Sequence, residues 1–142
     1  MFQVDFNKFK DSDNVIASTT KDVEAIFSIG SNWGNRHASV SEGLKWLSNV
    51  LSDFRCSSIY ATPDCHGGIK EYLNAVVYGK TSLSKKELEI LCKKYEAECG
   101  RDEEMRDAGK VPVDIDLVIY DGDILRHNDY KREFFKIGYA MI

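Results

Sequence analysis

The chain has 142 residues, enough for one domain, and its composition of 43% hydrophobic and 30% charged residues excludes disordered, collagen-like and membrane-spanning classes. Its formal net charge of −4, with Lys and Arg mixed among acidic residues, argues against nucleic acid as a partner. No apolar run approaches the roughly 20 residues of a transmembrane helix, and no signal-peptide pattern begins the chain, so we expect a cytoplasmic protein without a membrane partner.

Residues 1–22 are polar and of mixed charge, and we interpret them as an extension ahead of a domain that spans 23–142. Segment 23–29 is rich in β-branched and aromatic residues, which predicts a first strand. Apolar residues then recur at intervals of three and four over 39–51, where Ser39 begins a capping-box pattern. That spacing predicts a first helix.

Two further strands are predicted over 54–62 and 71–80, joined by a loop longer than a tight hairpin needs. Ser84 and Glu87 form a second capping-box pattern, which opens a second helix that ends at Gly100. We expect its apolar face to consist of Leu88, Ile90, Leu91, Tyr95 and Cys99.

A charged loop is predicted over 101–110 and a fourth strand over 113–120, followed by a tail with a short strand or helix. The resulting order, βαββαβ, predicts an α+β, ferredoxin-like fold: an antiparallel sheet with two helices on one face.

The chain has four cysteines, and no CxxC motif joins any two of them. A core of this size needs no disulfide, so we expect reduced thiols. Cys92 and Cys99 are seven residues apart, which puts both on one face of the second helix and favours a packing role.

The acidic residues Asp114 and Asp116 alternate within the predicted fourth strand. Alternate side chains share one face of a strand at a spacing of about 7 Å, where two carboxylates repel each other unless a cation lies between them. Mg²⁺ takes one or two carboxylates together with phosphate oxygens, so the pair favours a nucleotide-metal site. The alternative is a solvated strand face.

Two other patterns leave alternatives open. Segment 30–36 reads GSNWGNR, and it is either a turn whose backbone N–H groups meet an anion or a strand-to-helix turn with glycine at positive φ. Asn74 lies in an otherwise apolar strand. Its amide either recognises the amide edge of a heterocycle or bonds to neighbouring backbone.

Taken in order, these segments resemble the 6-hydroxymethyl-7,8-dihydropterin pyrophosphokinase family, whose members transfer diphosphate from ATP to a pterin hydroxymethyl group in folate biosynthesis. The resemblance covers about residues 23–135. It is carried by 26–36, 57–63, 72–77, Glu96 with Gly100 and Arg101, and 114–116.

The resemblance implies a magnesium-dependent enzyme with ATP and a reduced pterin as its small-molecule substrates. We expect a monomer, although the sequence carries no signal for the oligomeric state. The pterin residues would be Thr62, Pro63, Cys65, Tyr72, Asn74 and Phe134. The catalytic residues would be Arg101, Asp114 and Asp116, with both aspartates holding two magnesium ions. The ATP contacts would come from Glu96, Arg101, Lys110, His127 and Arg132.

The chain departs from the family just before the acidic pair, where Ala108 replaces a Trp and Val111 replaces an Arg. Losing a phosphate-stabilising cation costs about 10²-fold in rate or more. Lys110 or Arg106 is a candidate substitute, and the alternative is a catalytically impaired relative that binds pterin or nucleotide. A third hypothesis is an unrelated interaction module on the same fold.

Overall fold

A computed structural model describes residues 21–68 and 70–142, and within them the chain forms a six-stranded antiparallel sheet with helices. The strands are β1 (Val23–Ser31), β2 (Ser52–Cys56), β3 (Tyr60–Thr62), β4 (Tyr72–Thr81), β5 (Asp114–Tyr120) and β6 (Asp123–Ile124). The helices are α1 (Arg36–Val50), α2 (Lys85–Glu98), α3 (Glu103–Asp107), α4 (His127–Tyr130) and α5 (Glu133–Tyr139). Of the predicted extension 1–22, all but the last two residues lie outside this description.

The strand order is β2-β4-β1-β5-β6, and β3 also pairs with β4. Strand β1 is buried from Ala25 to Ser31, which suits its central position between β4 and β5. Helix α1 connects β1 to β2, and α2 follows β4 in the connection to β5. This arrangement confirms the predicted α+β, ferredoxin-like fold.

Both long helices pack on one face of the sheet. The core there includes Phe27 of β1, Leu47 of α1 and Leu91 of α2, all with no more than 1% of their surface exposed. The rings of Trp46 and Tyr95 stack with centroids 4.3 Å apart where the two helices meet. Burying large apolar side chains between helices and sheet is the main source of stability for such a layer.

Helix α5 covers part of the opposite face of the sheet. The predicted fold, with two helices on one face, did not include a helix there. Phe135 is fully buried there against Ile26 and Val76. The hydroxyl of Tyr60 donates to the Phe134 carbonyl and accepts from the Gly138 nitrogen at 3.1 Å. These two bonds join α5 to β3.

Several predicted boundaries were wrong for local reasons. Helix α1 begins at Arg36 instead of Ser39, because the side chain of Asn35 accepts a hydrogen bond from the Ala38 nitrogen at 3.2 Å. The predicted strand 54–62 is two short strands. Between them, the hydroxyl of Ser57 accepts from the Val76 nitrogen at 2.9 Å.

The capping box of the second helix is confirmed, since the side chain of Ser84 accepts from the Glu87 nitrogen and that of Glu87 accepts from the Ser84 nitrogen. Gly100, with φ of +94°, follows the helix end as predicted. The predicted apolar face was wrong at Ile90, which is 48% exposed, and at Cys99, which is exposed. The buried stripe is Leu88, Leu91, Cys92, Tyr95 and Glu96.

The predicted charged loop 101–110 contains the short helix α3, which the side chain of Asp102 caps by accepting from the Met105 nitrogen at 2.8 Å. Within the described ranges, no helix has the length and apolar character needed to cross a membrane.

Candidate active site

A row of cross-strand neighbours lies on the sheet face that α5 partly covers. Gly30 of β1 pairs with Asn74 of β4 on one side and with Asp114 of β5 on the other. Cross-strand partners present their side chains to the same face. A Cβ atom at Gly30 would lie 3.0 Å from Asn74 Oδ1 and 3.4 Å from Tyr72 Cδ2, so the glycine keeps the space between amide and carboxylate open.

A cavity of about 140 Å³ lies over this row. It brings together all six residues predicted to bind a pterin and both predicted metal-binding acids, namely Thr62, Pro63, Cys65, Tyr72, Asn74, Phe134, Asp114 and Asp116. Ser28, Ile29, Gly30, Asp64, His66, Arg126 and Asp129 complete its lining. Residues from β1, β4, β5, the loop after β3 and the tail therefore meet at one place.

The side-chain amide nitrogen of Asn74 has hydrogen-bond partners within the protein. Its nitrogen donates to Thr62 Oγ1 at 2.7 Å and to the Tyr72 carbonyl at 3.4 Å. The side chain of Asn74 is buried, and burial also raises the pKa of the neighbouring Tyr72 hydroxyl to about 12. Bonds to neighbouring groups, one of the two alternatives for Asn74, are thus present.

The loop after β3 is shaped by Asp64, whose side chain accepts from the His66 nitrogen at 2.8 Å. Gly67, with φ of +83°, completes the turn. The turn directs Cys65 and His66 to the cavity lining.

Arg101 joins two acidic side chains at the start of β5. Its Nη1 donates to Asp114 Oδ1 at 2.6 Å and to Glu96 Oε1 at 3.0 Å. Glu96 is 5% exposed and also accepts from the Ile115 nitrogen at 2.8 Å. Burial raises the pKa of Glu96. Neither Arg101 nor Glu96, both predicted to contact ATP, lines the cavity.

Asp116 is the most strongly perturbed carboxyl group of the site. Burial raises its pKa to about 8, and the charge of Asp114 adds to the effect. Two adjacent carboxylates in such a setting attract a cation. The described residues contain no group of three or more His, Cys, Asp or Glu that could hold a metal ion. Two carboxylates are nevertheless the donor set that Mg²⁺ takes when phosphates supply further ligands.

A cation that the sequence analysis did not single out lies beside Asp116. Arg126 Nη1 is 3.8 Å from Asp116 Oδ1, and Arg126 Nε donates to Asp129. The chain reverses after β5 at Asp121 and Gly122, with φ of +50° and +83°, which returns Arg126 to the site. The Asp121-Gly122 pair was the sequence signal for this reversal. That the reversal places Arg126 beside Asp116 depends on the tertiary fold.

A second cavity, of about 450 Å³, adjoins the first. Asp116 and Arg126 line both cavities. The remaining walls come from α2 and β5 and consist of Lys86, Glu89, Ile90, Cys92, Lys93, Ile115 and Leu117.

None of the five residues predicted to contact ATP lines either cavity: Glu96, Arg101, Lys110, His127 and Arg132. The Lys110 ammonium lies 5.5 Å from the centroid of the Trp33 ring. His127 is the first residue of α4, and Arg132 is the exposed residue before α5. Arg106, the other candidate substitute, is paired with Glu103 at 3.4 Å on α3.

The segment 30–36 forms a strand-to-helix turn in which Gly34 has φ of +76°, one of the two alternatives for this pattern. Asn32 within it is buried and bonds across to the segment before β5. Its amide nitrogen donates to the Gly109 carbonyl at 2.9 Å, and its amide oxygen accepts from the Val111 nitrogen at 2.6 Å.

Comparison with known proteins matches the chain to the family that its sequence motifs resemble. Residues 26–142 match the family model described as 7,8-dihydro-6-hydroxymethylpterin-pyrophosphokinase (HPPK). The chain is 36% identical to a "Folate synthesis bifunctional protein" of Arabidopsis thaliana over 104 residues, which are 72% of this chain and 22% of that protein.

It is also 31% identical to the "2-amino-4-hydroxy-6-hydroxymethyldihydropteridine pyrophosphokinase" of Aquifex aeolicus over 102 residues, 69% of this chain and 61% of that protein. A mitochondrial "Folate synthesis bifunctional protein" of Pisum sativum is 30% identical over 118 residues, 81% of this chain and 23% of that protein. The chain therefore spans less than two thirds of the length of each of these relatives.

Proposed function

The chain belongs to the 7,8-dihydro-6-hydroxymethylpterin-pyrophosphokinase family, and we propose on that basis that it transfers diphosphate from ATP to 6-hydroxymethyl-7,8-dihydropterin in folate biosynthesis. One observation carries the proposal. A single cavity is lined by all six residues assigned to the pterin by family resemblance and by both acids assigned to the metal. These residues come from segments as far apart in the chain as Thr62 and Phe134.

The chemistry of the first cavity suits a flat, polar-edged heterocycle. Tyr72, Pro63 and Phe134 offer apolar and aromatic surface for the ring faces. Thr62 and Asn74 supply buried hydrogen-bonding groups for the ring edge. Polar and charged residues make up most of the rest of the lining, including the two acids and Arg126.

The second cavity is the larger one, and we assign it to ATP. Its lysines, Lys86 and Lys93, lie on α2, and its boundary with the first cavity runs through Asp116 and Arg126. A nucleotide bound there with its phosphates towards Asp116 would meet the pterin hydroxymethyl group at the acidic pair.

Asp114 and Asp116 would hold magnesium, which would supply positive charge to offset the charge of the phosphates. The chain itself has mainly to position the two substrates. The pterin hydroxyl oxygen forms a bond to the β-phosphorus, and the bond from that phosphorus to the oxygen bridging it to the α-phosphate breaks. AMP leaves, and the hydroxyl proton passes to water.

The test is a calorimetric titration of the purified chain with 6-hydroxymethylpterin, with and without magnesium and a non-hydrolysable ATP analogue, followed by an assay of AMP release from ATP. Pterin binding with AMP formation is the expected result. Pterin binding without AMP formation would favour the catalytically impaired relative that Ala108 and Val111 suggest. Absence of binding for both pterin and nucleotide would refute the proposal.

A further inference from the structure

Each acid of the pair has its own arginine, but the two arginines are held very differently. Arg101 donates to Asp114 at 2.6 Å and is also bound to Glu96, and its side chain is 26% exposed. Arg126 approaches Asp116 only to 3.8 Å, which exceeds hydrogen-bonding distance, and its side chain is 49% exposed. Arg101 is therefore fixed, whereas Arg126 is weakly held at Asp116.

We propose that Arg126 is a place-holding counter-ion. It balances the charge of Asp116 when that carboxyl group is ionised and the site lacks metal, and it transfers to the phosphates of ATP once a divalent cation occupies the acids. The inference rests on the proposed function and adds a role for a residue outside the predicted site.

The position of Arg126 supports this exchange. Among the described residues it is the only lysine or arginine that lines the cavity over the acidic pair, and it also lines the adjoining cavity assigned to ATP. A divalent cation on the acids would repel the guanidinium and replace its Coulombic attraction to Asp116. Phosphate oxygens at the boundary would then be its nearest anions.

The contact with Asp129 leaves the arginine free to act in this way. Asp129 accepts from Nε, so it orients the guanidinium while the two terminal nitrogens stay available to another anion. An arginine presents a planar fork of donors that matches phosphate oxygens in pairs, which a lysine does not.

The exchange also accounts for the departure at Val111, where the family has an arginine. The candidate substitutes from the sequence, Lys110 and Arg106, are turned to Trp33 and Glu103 instead. Arg126, which the reversal after β5 returns to the neighbourhood of Asp116, would supply the missing positive charge.

The test is a pair of titrations of the Arg126→Gln variant, in which we expect one affinity to rise and the other to fall. The first measures Mn²⁺ affinity without nucleotide, from the electron paramagnetic resonance signal of the free ion, because Mn²⁺ favours the same oxygen ligands as Mg²⁺. Removing the competing guanidinium should raise this affinity by up to about fivefold. The second measures a non-hydrolysable ATP analogue in excess Mg²⁺, and its affinity should fall by about tenfold or more.

Arg55→Gln is the matched control. Arg55 is an exposed arginine on β2, at the far edge of the sheet from β6, where it stacks over the Tyr78 ring, and its replacement changes the net charge by the same amount. We expect both affinities to be unchanged in this variant. Circular dichroism of each variant checks that it is folded.

The outcomes separate the two proposals. If the unmodified chain fails to bind the analogue with magnesium, the proposed function and this inference both fall. If the unmodified chain binds it and Arg126→Gln lowers the Mn²⁺ and analogue affinities together, or changes neither, only the counter-ion exchange is wrong. Partial recovery of analogue affinity in Arg126→Lys would support a contact through charge.

Discussion

The amide oxygen of Asn32 accepts a hydrogen bond of 2.6 Å from the backbone nitrogen of Val111, 79 residues along the chain. The backbone of Asn32 bonds to the same residue, its nitrogen donating to the Val111 carbonyl at 3.0 Å. The segment in which the family's Trp and Arg are replaced is therefore anchored to the end of β1. Hydrogen bonds from Asn32 and from the Ser31 hydroxyl hold the backbone at residue 111.

Asn32→Ala should destabilise the fold. It removes the acceptor of the Val111 nitrogen and the donor to the Gly109 carbonyl, and the expected loss is about 2–4 kcal/mol of unfolding free energy. Urea denaturation measures it. Asn128→Ala, at an exposed position, is the control and should change stability by less than about 0.5 kcal/mol. Equal losses in the two variants would contradict the anchoring role.

Gly30→Ala should block the first cavity. The new methyl group would lie 3.0 Å from Asn74 Oδ1, at the floor between the amide and Asp114. We expect pterin affinity to fall by about tenfold or more, with a stability loss of about 1–3 kcal/mol from overpacking. Gly34→Ala is the comparison, because φ of +76° strains any side chain there although no atom lies within 4 Å. It should lose stability and keep pterin binding, measured by calorimetry. Unchanged pterin affinity in Gly30→Ala would remove the cavity from the pterin site.

Asp116→Asn should make the metal-free protein more stable at alkaline pH. Burial raises the pKa of this carboxyl group from 3.8 to about 8. Between these values the folded state binds more protons than the unfolded state, so stability falls as pH rises through this window. The asparagine variant lacks that loss, and we expect it to exceed the unmodified chain by at least about 1 kcal/mol at pH 8 and to match it near pH 4.

The measurement is urea unfolding in EDTA across this pH range. Asp123→Asn, at an exposed position on β6, is the control for general charge effects. A gain in stability that is the same at pH 4 and pH 8 would show that titration of Asp116 is not its cause.

Glu96 can be tested for a structural role against the nucleotide contact that the family resemblance implies. Glu96→Ala should cost about 2–4 kcal/mol, because the buried Ile115 nitrogen loses its acceptor and Arg101 loses a partner. Glu96→Gln keeps an acceptor for Ile115 and should cost less. Glu98→Ala, at an exposed position of the same helix, should be near neutral. If Glu96→Gln lowers ATP-analogue affinity without a loss in stability, the nucleotide contact is the better interpretation.

The sequence predicted most of the fold because its signals were local. Alternating and helical periodicity identified β1, β4, β5, α1 and α2, and the Ser84 capping box was correct. The α1 start was misplaced because a capping asparagine competed with a serine pattern three residues later. The sequence predicted only a short strand or helix where α5 lies. This helix is stabilised by packing of Phe135 on the sheet, and no local sequence pattern indicates that contact.

The eight predicted site residues that line one cavity were named from the family resemblance. Seven of them lie on strands or in the loop after β3, and Phe134 lies on α5. The surroundings of Asp116, where we place the nucleotide phosphates, were harder to predict from the sequence. Arg126 depends on a turn and a tertiary approach to Asp116, and the raised pKa of that acid depends on burial that spacing alone does not give.

The hydroxyl of Tyr60 has a consequence for how the molecule opens. Through it, α5 is joined to β3, so the walls of the cavity that contain Phe134 and Thr62 are linked by one side chain. A partial unfolding event that lifts α5 from the sheet would release both walls at once, while the layer of α1 and α2 stays packed on the other face. The population of that open form sets an upper limit on pterin affinity, and bound pterin would slow amide hydrogen exchange along all of α5, including residues beyond Phe134 that do not line the cavity.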